Sequence, residues 1–510
     1  MAKFPPTPEQ AAAVAAFRSG GTVVIEAGAG AGKTSTLELI AKAAQDQGRS
    51  VLYIAFNRAI ADEARRRFPA NTTCSTAHAL AFAAVGKRCA HRLRLPRQSA
   101  QQVARILGIT RPIKLGSGVA PIAPQQAARL ALGTVARFCA TADRDITVRH
   151  VPVVAALDDA QQLVLARAIL PFAQRAWDDL GRPDGQLRYT HDYYFKRWQL
   201  SGPRLNFDVI MLDECQDTDP VLADVFRAQA GHAQLVLVGD RQQAIYGWRG
   251  CIDIMGDFPD ARIVQLTRSF RFGPAVAAEA NRWLTLLGAS LRITGHDQIP
   301  SRVGPVTRPD VVICRTNAGV VAELLAAHQA GLKVALVGGG KDIRSLAEAA
   351  IELQERGFTA HPELTGFASW QQVVDFVESD DHGSEDLLVG VALIERHGAY
   401  TVLDAINRLV DEREADIVLT TAHKAKGREW DRVRVGSDFR EPTVEDGEPQ
   451  LHREELMLAY VTVTRARLEL DLGSLSWIDD YVEPGESEDA AAPASEVLAL
   501  LAAQRQAQAS

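Results

Sequence analysis

The sequence predicts an α/β protein built on parallel sheets, and three observations support this fold class. Short apolar runs typical of buried strands alternate with segments of helical apolar spacing. One such run, at residues 22–25, leads through a loop of small residues into a helix. Another, at residues 207–212, ends in two carboxylates, and polar groups at the carboxyl ends of parallel strands commonly line a ligand site. A chain of 510 residues is long enough for several domains of this kind.

Composition is that of a soluble globular protein. Hydrophobic residues make up 47% and charged residues 23% of the chain, which are ordinary values. The apolar runs are far shorter than the roughly 20 residues that span a membrane. No apolar signal-peptide core follows the first residues, and the six cysteines are scattered without a Cys-x-x-Cys pair. We therefore expect no membrane contact, a cytoplasmic location, reduced thiols and no zinc or iron–sulfur site.

The stretch from Glu26 to Thr36 has the composition and context of a phosphate-binding loop. Small residues let backbone N–H groups surround an anion, and the start of the following helix adds its dipole. Lys33 is expected to reach the β- and γ-phosphates of a nucleoside triphosphate, and the Thr34 hydroxyl to bind Mg²⁺. The strict pattern has glycine where this sequence has Ala27. The predicted phosphate contacts are Ala27, Gly28, Ala29, Gly30, Ala31, Gly32, Lys33, Thr34 and Ser35.

A glutamine shortly before this loop is a candidate for nucleotide recognition. Thr7 and Pro8 suit the cap and first position of a helix, which places Gln10 at the third helical position. The amide of Gln10 offers a donor and an acceptor that match the edge of adenine. The alternative is an ordinary surface glutamine.

Two carboxylates and a later amide complete a predicted hydrolysis site. Asp213 and Glu214 directly follow a buried strand. Asp213 would hold Mg²⁺, and Glu214 would polarise the attacking water. After the next strand, Gln243 would sense the γ-phosphate while Tyr246 and Trp248 stack on bases. This arrangement would couple hydrolysis to contact with a strand.

Other strand ends and a basic stretch indicate nucleic-acid contact. Although the net charge is −7, no Asp or Glu occurs from residue 64 to residue 142, a span rich in arginine. A polyanion would neutralise this charge, whereas the alternative is a solvated basic surface. Residues at strand ends of an α/β sheet face the ligand crevice. Those that would touch nucleotide or nucleic-acid backbone, unless they are purely structural, are Phe56, Asn57, Thr76 and His78.

The pattern is helical from about residue 85 to residue 204, and we expect this segment to be a subdomain inserted into the sheet. It ends in an aromatic cluster that is interleaved with basic side chains. Core packing and base stacking beside phosphate-binding cations are both open interpretations of the cluster. Its members are Tyr189, Tyr193, Tyr194, Phe195 and Trp198.

With these motifs in order, the sequence resembles superfamily 1A helicases of the UvrD, Rep and PcrA type. The segments 55–58, 269–273 and 423–427 are similar to those of the branch that contains the F-box DNA helicase, although no F-box region is evident. The resemblance extends from about Thr7 to Leu472. It implies an α/β fold with two RecA-like P-loop domains, each with a parallel sheet and an inserted, mainly helical subdomain.

The resemblance also implies a division of the chain. The first RecA-like domain would contain one basic helical insert, and the second a reduced accessory subdomain, followed by a tail that is either a flexible acidic and alanine-rich arm or a docking helix. The expected segments are 1–84 and 205–275 for the first domain, 85–204 for its insert, 276–337 and 416–475 for the second domain, 338–415 for the accessory subdomain and 476–510 for the tail.

The same resemblance implies roles for later residues. ATP would lie between the two RecA-like domains, with Arg271 and Arg465 acting as arginine fingers on its γ-phosphate. Phe270 would stack on adenine, and Gly427 and Glu429 would lie near the nucleotide. The remaining expected DNA contacts are Tyr246, Trp248, Arg249, Thr421 and His423.

Together these expectations describe an ATP- and Mg²⁺-dependent translocase on single-stranded DNA that unwinds tailed duplex DNA with 3′→5′ polarity. It would act as a monomer or weak oligomer, associated with the nucleoid if bacterial, and a protein loading partner is left open. The other hypotheses are an RNA helicase, a translocase that strips proteins without unwinding, and a non-catalytic nucleic-acid-binding scaffold. The scaffold is disfavoured because Lys33, Asp213, Glu214, Gln243, Arg271 and Arg465 occur together.

Overall fold

The computed structural model describes residues 5–96, 98–115, 121–154, 157–359, 361, 364, 367–378, 385–445 and 448–482. Arg97 of the basic stretch and the predicted tail from residue 483 onward lie outside these residues. As far as they are described, Met1–Glu26 with Lys33–Gln265 form one compact unit, and Ala27–Gly32 with Leu266–Ser510 form another. Within the described ranges, no helix combines the length and the apolar character that crossing a bilayer requires.

The first unit contains a six-stranded sheet. Its strands are β1 (Val23–Ala27), β2 (Val51–Ala55), β3 (Thr72–Thr76), β4 (Val209–Leu212), β5 (Gln234–Gly239) and β6 (Arg262–Leu266). They are ordered β3-β2-β4-β5-β1-β6, and the pairs from β3 through to β1 are parallel. Strands β2 and β4 are buried at every position, as is usual for central strands of parallel sheets. The predicted strands before the small-residue loop and before the two carboxylates are therefore confirmed.

Helices alternate with these strands along the sequence, and several of them lie between β3 and β4 in the chain. They are α1 (Pro8–Arg18), α2 (Lys33–Asp46), α3 (Arg58–Arg67), α4 (Ala77–Ala84), α5 (Ala100–Ile106), α6 (Pro124–Cys139), α7 (Asp159–Gly181), α8 (His191–Leu200) and α9 (Pro220–Arg227). Helix α1 begins as predicted, since Thr7 accepts a hydrogen bond from the Gln10 N–H. Helices α5 to α8 fall between β3 and β4, which agrees with the predicted helical interruption of the sheet.

The aromatic cluster of α8 belongs to the hydrophobic core. Tyr193, Tyr194, Phe195 and Trp198 are each at most 3% exposed, so the structure supports core packing rather than base stacking. One arginine of the basic stretch is also structural. Arg92 is 1% exposed, and its guanidinium lies 3.0 Å from the Asp179 carboxylate.

The second unit contains another six-stranded sheet and a small hairpin. Its strands are β7 (Arg302–Val303), β8 (Val311–Cys314), β9 (Val334–Leu336), β10 (Ile417–Thr421), β11 (Trp430–Val435), β12 (Thr443–Glu445), β13 (Glu448–Gln450) and β14 (Ala466–Asp471). The sheet order is β7-β14-β11-β8-β10-β9, and all of its pairs are parallel. Strands β12 and β13 pair antiparallel. The two sheets confirm the predicted α/β class and agree with two RecA-like domains.

Most of the described helices of the second unit lie between β8 and β10 along the sequence. They are α10 (Pro274–Leu286), α11 (Asn317–Gln329), α12 (Lys341–Arg356), α13 (Trp370–Glu378), α14 (Glu385–His397), α15 (Ala399–Asn407), α16 (Ala422–Ala425) and α17 (Arg453–Val463). Helices α12 to α15 share one hydrophobic core with α11 and the nearby strands.

Candidate active site

The predicted phosphate-binding loop connects β1 to α2, and two of its glycines adopt backbone conformations that favour glycine. Ala27 is the last residue of β1 and is fully buried, so the extended strand accommodates alanine where the strict pattern has glycine. Gly30 and Gly32 adopt φ values of 74° and 79°, a region that glycine occupies without steric cost. A Cβ at Gly30 would also lie 2.5 Å from Oγ of Ser269. The loop therefore requires glycine at these two later positions.

The backbone of this loop is hydrogen-bonded within the second unit. The Ala29 N–H donates to the hydroxyl of Tyr460 over 3.2 Å. The Phe270 N–H donates to the Gly30 carbonyl over 2.9 Å. Phe270 remains 44% exposed, and its stacking on adenine stays a prediction.

Lys33 and Glu214, two predicted catalytic residues of the first unit, form an ion pair. Lys33 is the first residue of α2, and its Nζ lies 2.7 Å from Oε2 of Glu214. Burial lowers the pKa of Lys33, but the carboxylates of Glu214, Asp213 and Asp240 outweigh this effect and raise the pKa. Lys33 is therefore cationic at neutral pH, as contact with phosphate requires.

Asp213 follows β4 and is only 5% exposed. It accepts hydrogen bonds from the Tyr53 hydroxyl at 2.7 Å and from the Glu214 N–H at 2.9 Å. Burial and the adjacent charge of Glu214 raise the pKa of Asp213, while Lys33 and Tyr53 lower it. A bound cation would relieve the repulsion between the two carboxylates.

The donor set suits Mg²⁺, which usually takes only one or two protein oxygens and completes its octahedron with water and phosphate. The Asp213 carboxylate and the Thr34 hydroxyl would be those ligands. Within the described residues, no group of three or more His, Cys, Asp or Glu side chains could hold a metal ion, and Mg²⁺ in such a site does not need one.

Glu214 has an unusual backbone. Its φ of 53° makes it the only residue other than glycine with a positive φ among the described residues. Non-glycine residues in this left-handed region cost roughly 1–3 kcal/mol and cluster at functional sites. The backbone strain therefore independently supports a functional role for Glu214.

Two residues that the sequence analysis did not single out connect Glu214 to Gln243. The Gln216 amide donates to Oε2 of Glu214 over 2.7 Å, and its Oε1 accepts the Asp240 N–H over 3.1 Å. The Gln243 amide donates to Oδ2 of Asp240 over 2.7 Å. Their positions carried a usable signal, because Gln216 follows the two carboxylates and Asp240 directly follows β5.

The predicted arginines of the second unit also lie close to one another. Nε of Arg271 is 2.7 Å from the Glu429 carboxylate, and its Nη1 donates to the Thr464 carbonyl over 3.1 Å. Arg465, the next residue, is 1% exposed, and its Nη1 donates to the Arg428 carbonyl over 3.2 Å. Gly427, which directly precedes Arg428, has a φ of 83°. The structure thus brings together Arg271, Glu429, Gly427 and Arg465.

An exposed aromatic surface lies on residues 240–252, which we call the aromatic loop. Trp248 is 60% exposed, and the Arg249 guanidinium lies 4.6 Å from the centre of its ring. The Tyr246 ring lies 6.2 Å from that of Phe56, which is 48% exposed. Exposed rings beside a cation are suited to stacking on the bases of a single strand.

Several other predicted contact residues have local structural roles. Asn57 caps α3, Thr76 caps α4 and Thr421 caps α16. The ring of His78 stacks on Phe195 with centroids 4.2 Å apart.

Three further predicted residues lie at or near helix ends. Gln10 completes the cap of α1 by accepting the Thr7 N–H at 3.1 Å. Ser35 accepts a hydrogen bond from Arg67 at 3.2 Å, and His423 lies in α16. Their roles in nucleotide or nucleic-acid binding stay predictions.

Comparison with known proteins identifies helicase-related sequences along the chain. A model of an AAA domain matches residues 10–249, and a model of the UvrD-like helicase C-terminal domain matches residues 373–476. F-box DNA helicase protein 1 of Schizosaccharomyces pombe is 29% identical over 499 residues, which cover 89% of this chain and 55% of that protein. F-box DNA helicase 1 of Gallus gallus is 29% identical over 492 residues, which cover 88% of this chain and 47% of that protein.

A bacterial relative matches a shorter part. The ATP-dependent DNA helicase UvrD2 of Mycobacterium tuberculosis is 27% identical over 338 residues, which cover 52% of this chain and 47% of that protein. The chain spans about half the length of these curated relatives. Together with the two family matches, these relatives make the chain similar to UvrD-like helicases across both of the sheets that carry the predicted motifs.

Proposed function

We propose that this protein is an ATP- and Mg²⁺-dependent translocase on single-stranded DNA and a DNA helicase with 3′→5′ polarity. The observation that carries the proposal is the connected set of Lys33, Glu214 and Gln243 in the first unit. A phosphate-binding lysine, a carboxylate base and a γ-phosphate sensor are the parts that hydrolysis of a nucleoside triphosphate needs. The exposed rings of the aromatic loop supply the strand contact.

Each residue has a distinct role in the proposed reaction. Lys33 neutralises charge on the β- and γ-phosphates, and Asp213 with Thr34 holds Mg²⁺, which would stabilise the developing phosphate charge. Glu214 orients and polarises the attacking water. Arg271 and Arg465 stabilise the transferring phosphoryl group, as arginine fingers do.

Nucleic-acid binding is assigned to the basic helical insert at 85–204 together with the aromatic loop. Exposed arginines and lysines of the insert would hold backbone phosphates and make affinity salt-dependent. They would add no sequence preference, because phosphate contacts carry no base information. Among the described residues from 85 to 142, where the sequence has no acidic residue, those exposed are Lys87, Arg88, Arg94, Arg105, Arg111, Lys114, Arg129 and Arg137.

The rest of the proposed organisation follows the family. Residues 338–415 form the reduced accessory subdomain of the second RecA-like domain. The protein acts as a monomer or weak oligomer on single-stranded and tailed duplex DNA, in the cytoplasm.

ATP hydrolysis by the wild type and Glu214→Gln, with and without single-stranded DNA or RNA of matched length, tests this function. We expect stimulation by DNA alone and loss of turnover in Glu214→Gln. A Glu63→Gln protein is the matched control, since Glu63 is an exposed carboxylate on α3. Equal stimulation by RNA would indicate an RNA helicase, and ATP binding without hydrolysis would indicate a scaffold.

Duplexes with a single-stranded tail at either end test the polarity. Unwinding of only the 3′-tailed duplex is the expected result. Displacement of streptavidin from a biotinylated strand, without unwinding of either duplex, would instead identify a translocase that strips proteins.

A further inference from the structure

The aromatic loop is hydrogen-bonded at both ends to the segment 213–218, which contains Glu214. At the start of the loop, the Asp240 N–H donates to Oε1 of Gln216 over 3.1 Å. At its end, Ile252 and Thr218 exchange backbone hydrogen bonds of 2.9 and 3.2 Å. The aromatic loop and the segment 213–218 are therefore joined by hydrogen bonds at two points. Because of these two connections, a displacement of the loop would shift the position of the segment.

Gln216 is the residue of these connections that touches the proposed base. Its side chain is buried at 1% exposure, and its Nε2 donates to Oε2 of Glu214 over 2.7 Å. The same amide accepts from the loop through Oε1, so both ends of one rigid planar group are in use. A Cβ on Gly239 would lie 2.5 Å from this Oε1, so Gly239 gives the amide the space it occupies.

Asp240 extends the connection toward the exposed rings. Its carboxylate accepts the Gln242 N–H at 3.1 Å and the Gln243 amide at 2.7 Å, which fixes the short helical turn at Arg241–Gln243. A second short turn, Gly247–Arg249, carries Trp248. Bases stacked on Trp248 would thus contact a loop whose first residue, Asp240, is hydrogen-bonded to Gln216.

We propose that Gln216 is a positioning residue that couples nucleic-acid contact at the aromatic loop to the orientation of Glu214. The inference rests on the proposed function, because it needs ATP hydrolysis that DNA stimulates. A strand on the loop would set the position of Asp240, and the Gln216 amide would transmit it to the carboxylate that polarises water. Coupling of this kind is a free-energy difference between two arrangements of one element.

The test compares the turnover number and KM for ATP with and without a saturating single-stranded oligothymidylate. Gln216→Leu loses the hydrogen bonds that the amide makes with Glu214, with Asp217 and with the Asp240 N–H. In this variant we expect the ratio of stimulated to basal turnover to fall about tenfold. Gln216→Glu retains the shape but loses the donor to Glu214, and we expect a fall in the same ratio. The Gln216→Glu variant therefore still tests the coupling if Gln216→Leu does not fold. Oligothymidylate affinity, measured by fluorescence anisotropy, should be retained in both.

The matched control is Gln229→Leu. Gln229 is as buried as Gln216 and donates to two carbonyls, at 2.7 and 2.9 Å, away from the site, so its variant reports general loss of stability with the ratio unchanged. Equal falls in basal and stimulated turnover, or weaker oligothymidylate binding, in the Gln216 variants would overturn the coupling role. If the wild type itself shows no stimulation by DNA, the proposed function fails instead.

Discussion

The ammonium nitrogen of Lys33 lies 2.7 Å from a carboxylate oxygen of Glu214, the same oxygen that accepts the Gln216 amide. One oxygen of the proposed base is thus held by a cation and an amide donor in a largely buried site. Charge-assisted hydrogen bonds of this kind are shorter and stronger than neutral ones. The orientation of the proposed base therefore depends on Lys33 as well as on the strand that precedes it.

We expect Lys33→Ala to lower kcat/KM for ATP by at least about 100-fold, the scale for losing one preorganised charged or donor group. The variant removes both the phosphate contact and the partner of Glu214. Lys42→Ala is the control, because Lys42 lies on the same helix and pairs with Glu38 at 2.8 Å away from the site. Equal turnover by the two variants would contradict the role of Lys33.

Asp213→Asn is expected to abolish turnover and to raise the melting temperature at pH 7. The pKa of Asp213 is raised by burial and by Glu214, so the folded protein binds this proton more tightly than the unfolded chain does. The stability that the proton adds is complete below the unfolded pKa of about 4 and is lost as the pH rises. The advantage of the asparagine variant should therefore be small near pH 4 and grow toward neutral pH.

Melting curves at several pH values measure this effect, and Asp208→Asn provides a control of opposite sign. Hydrogen bonds from Ser50 lower the pKa of Asp208. That carboxylate therefore stabilises the fold above its unfolded pKa and ceases to do so as the pH falls. A destabilised Asp213→Asn protein at pH 7 would show that the buried charge is not a cost to folding.

Lys196 is expected to make the first unit more stable as the pH rises through the alkaline range. Its buried ammonium donates to the carbonyls of Thr141, at 2.8 Å, and Asp143, and lies 4.4 Å from the centre of the Phe138 ring. Burial lowers the pKa of Lys196 to about 8, so between this value and the unfolded value of about 10.4 the unfolded chain binds more protons. Stability consequently increases with pH across that window.

Comparison of wild type with Lys196→Met by thermal unfolding isolates this contribution, since other titrating groups cancel in the difference. The melting temperature of the wild type minus that of the variant should increase between about pH 8 and pH 10. A difference that does not change with pH would contradict the shifted titration of this lysine.

Trp248→Ala should weaken binding of single-stranded DNA without affecting the fold. Loss of one stacked base costs about 1–3 kcal/mol, which corresponds to an increase in Kd of about 5- to 150-fold. Fluorescence anisotropy at one fixed salt concentration measures the Kd for single-stranded DNA. Phe358→Ala is the control, because Phe358 is 64% exposed in the second unit. Equal affinities of the two variants would exclude Trp248 from the strand contact.

Local patterns predicted the parts of the site that depend on one strand and its following loop. Lys33 begins α2, and Asp213 follows β4, where the apolar runs placed them. The carboxyl ends of neighbouring parallel strands meet at one edge of the sheet, so the proximity of these residues was predictable as well.

Contacts that join distant positions were not predictable in the same way. The Tyr53 hydroxyl reaches Asp213 from β2, a strand whose side chains are otherwise apolar. This contact depends on the pairing of β2 with β4, which no local pattern records. The tyrosines of α8 were ambiguous for a related reason, because the same residue types suit both a core and a stacking surface.

The left-handed backbone of Glu214 means that selection for folding and selection for turnover should favour different residues at this position. Glycine or asparagine adopts that conformation at lower cost, so a screen that rewards only thermal resistance would enrich them there. A screen that rewards growth dependent on the proposed ATP hydrolysis would remove the same variants. Disagreement between two such screens at a single codon would mark Glu214 as a position where the chain gives up stability to keep a carboxylate in place.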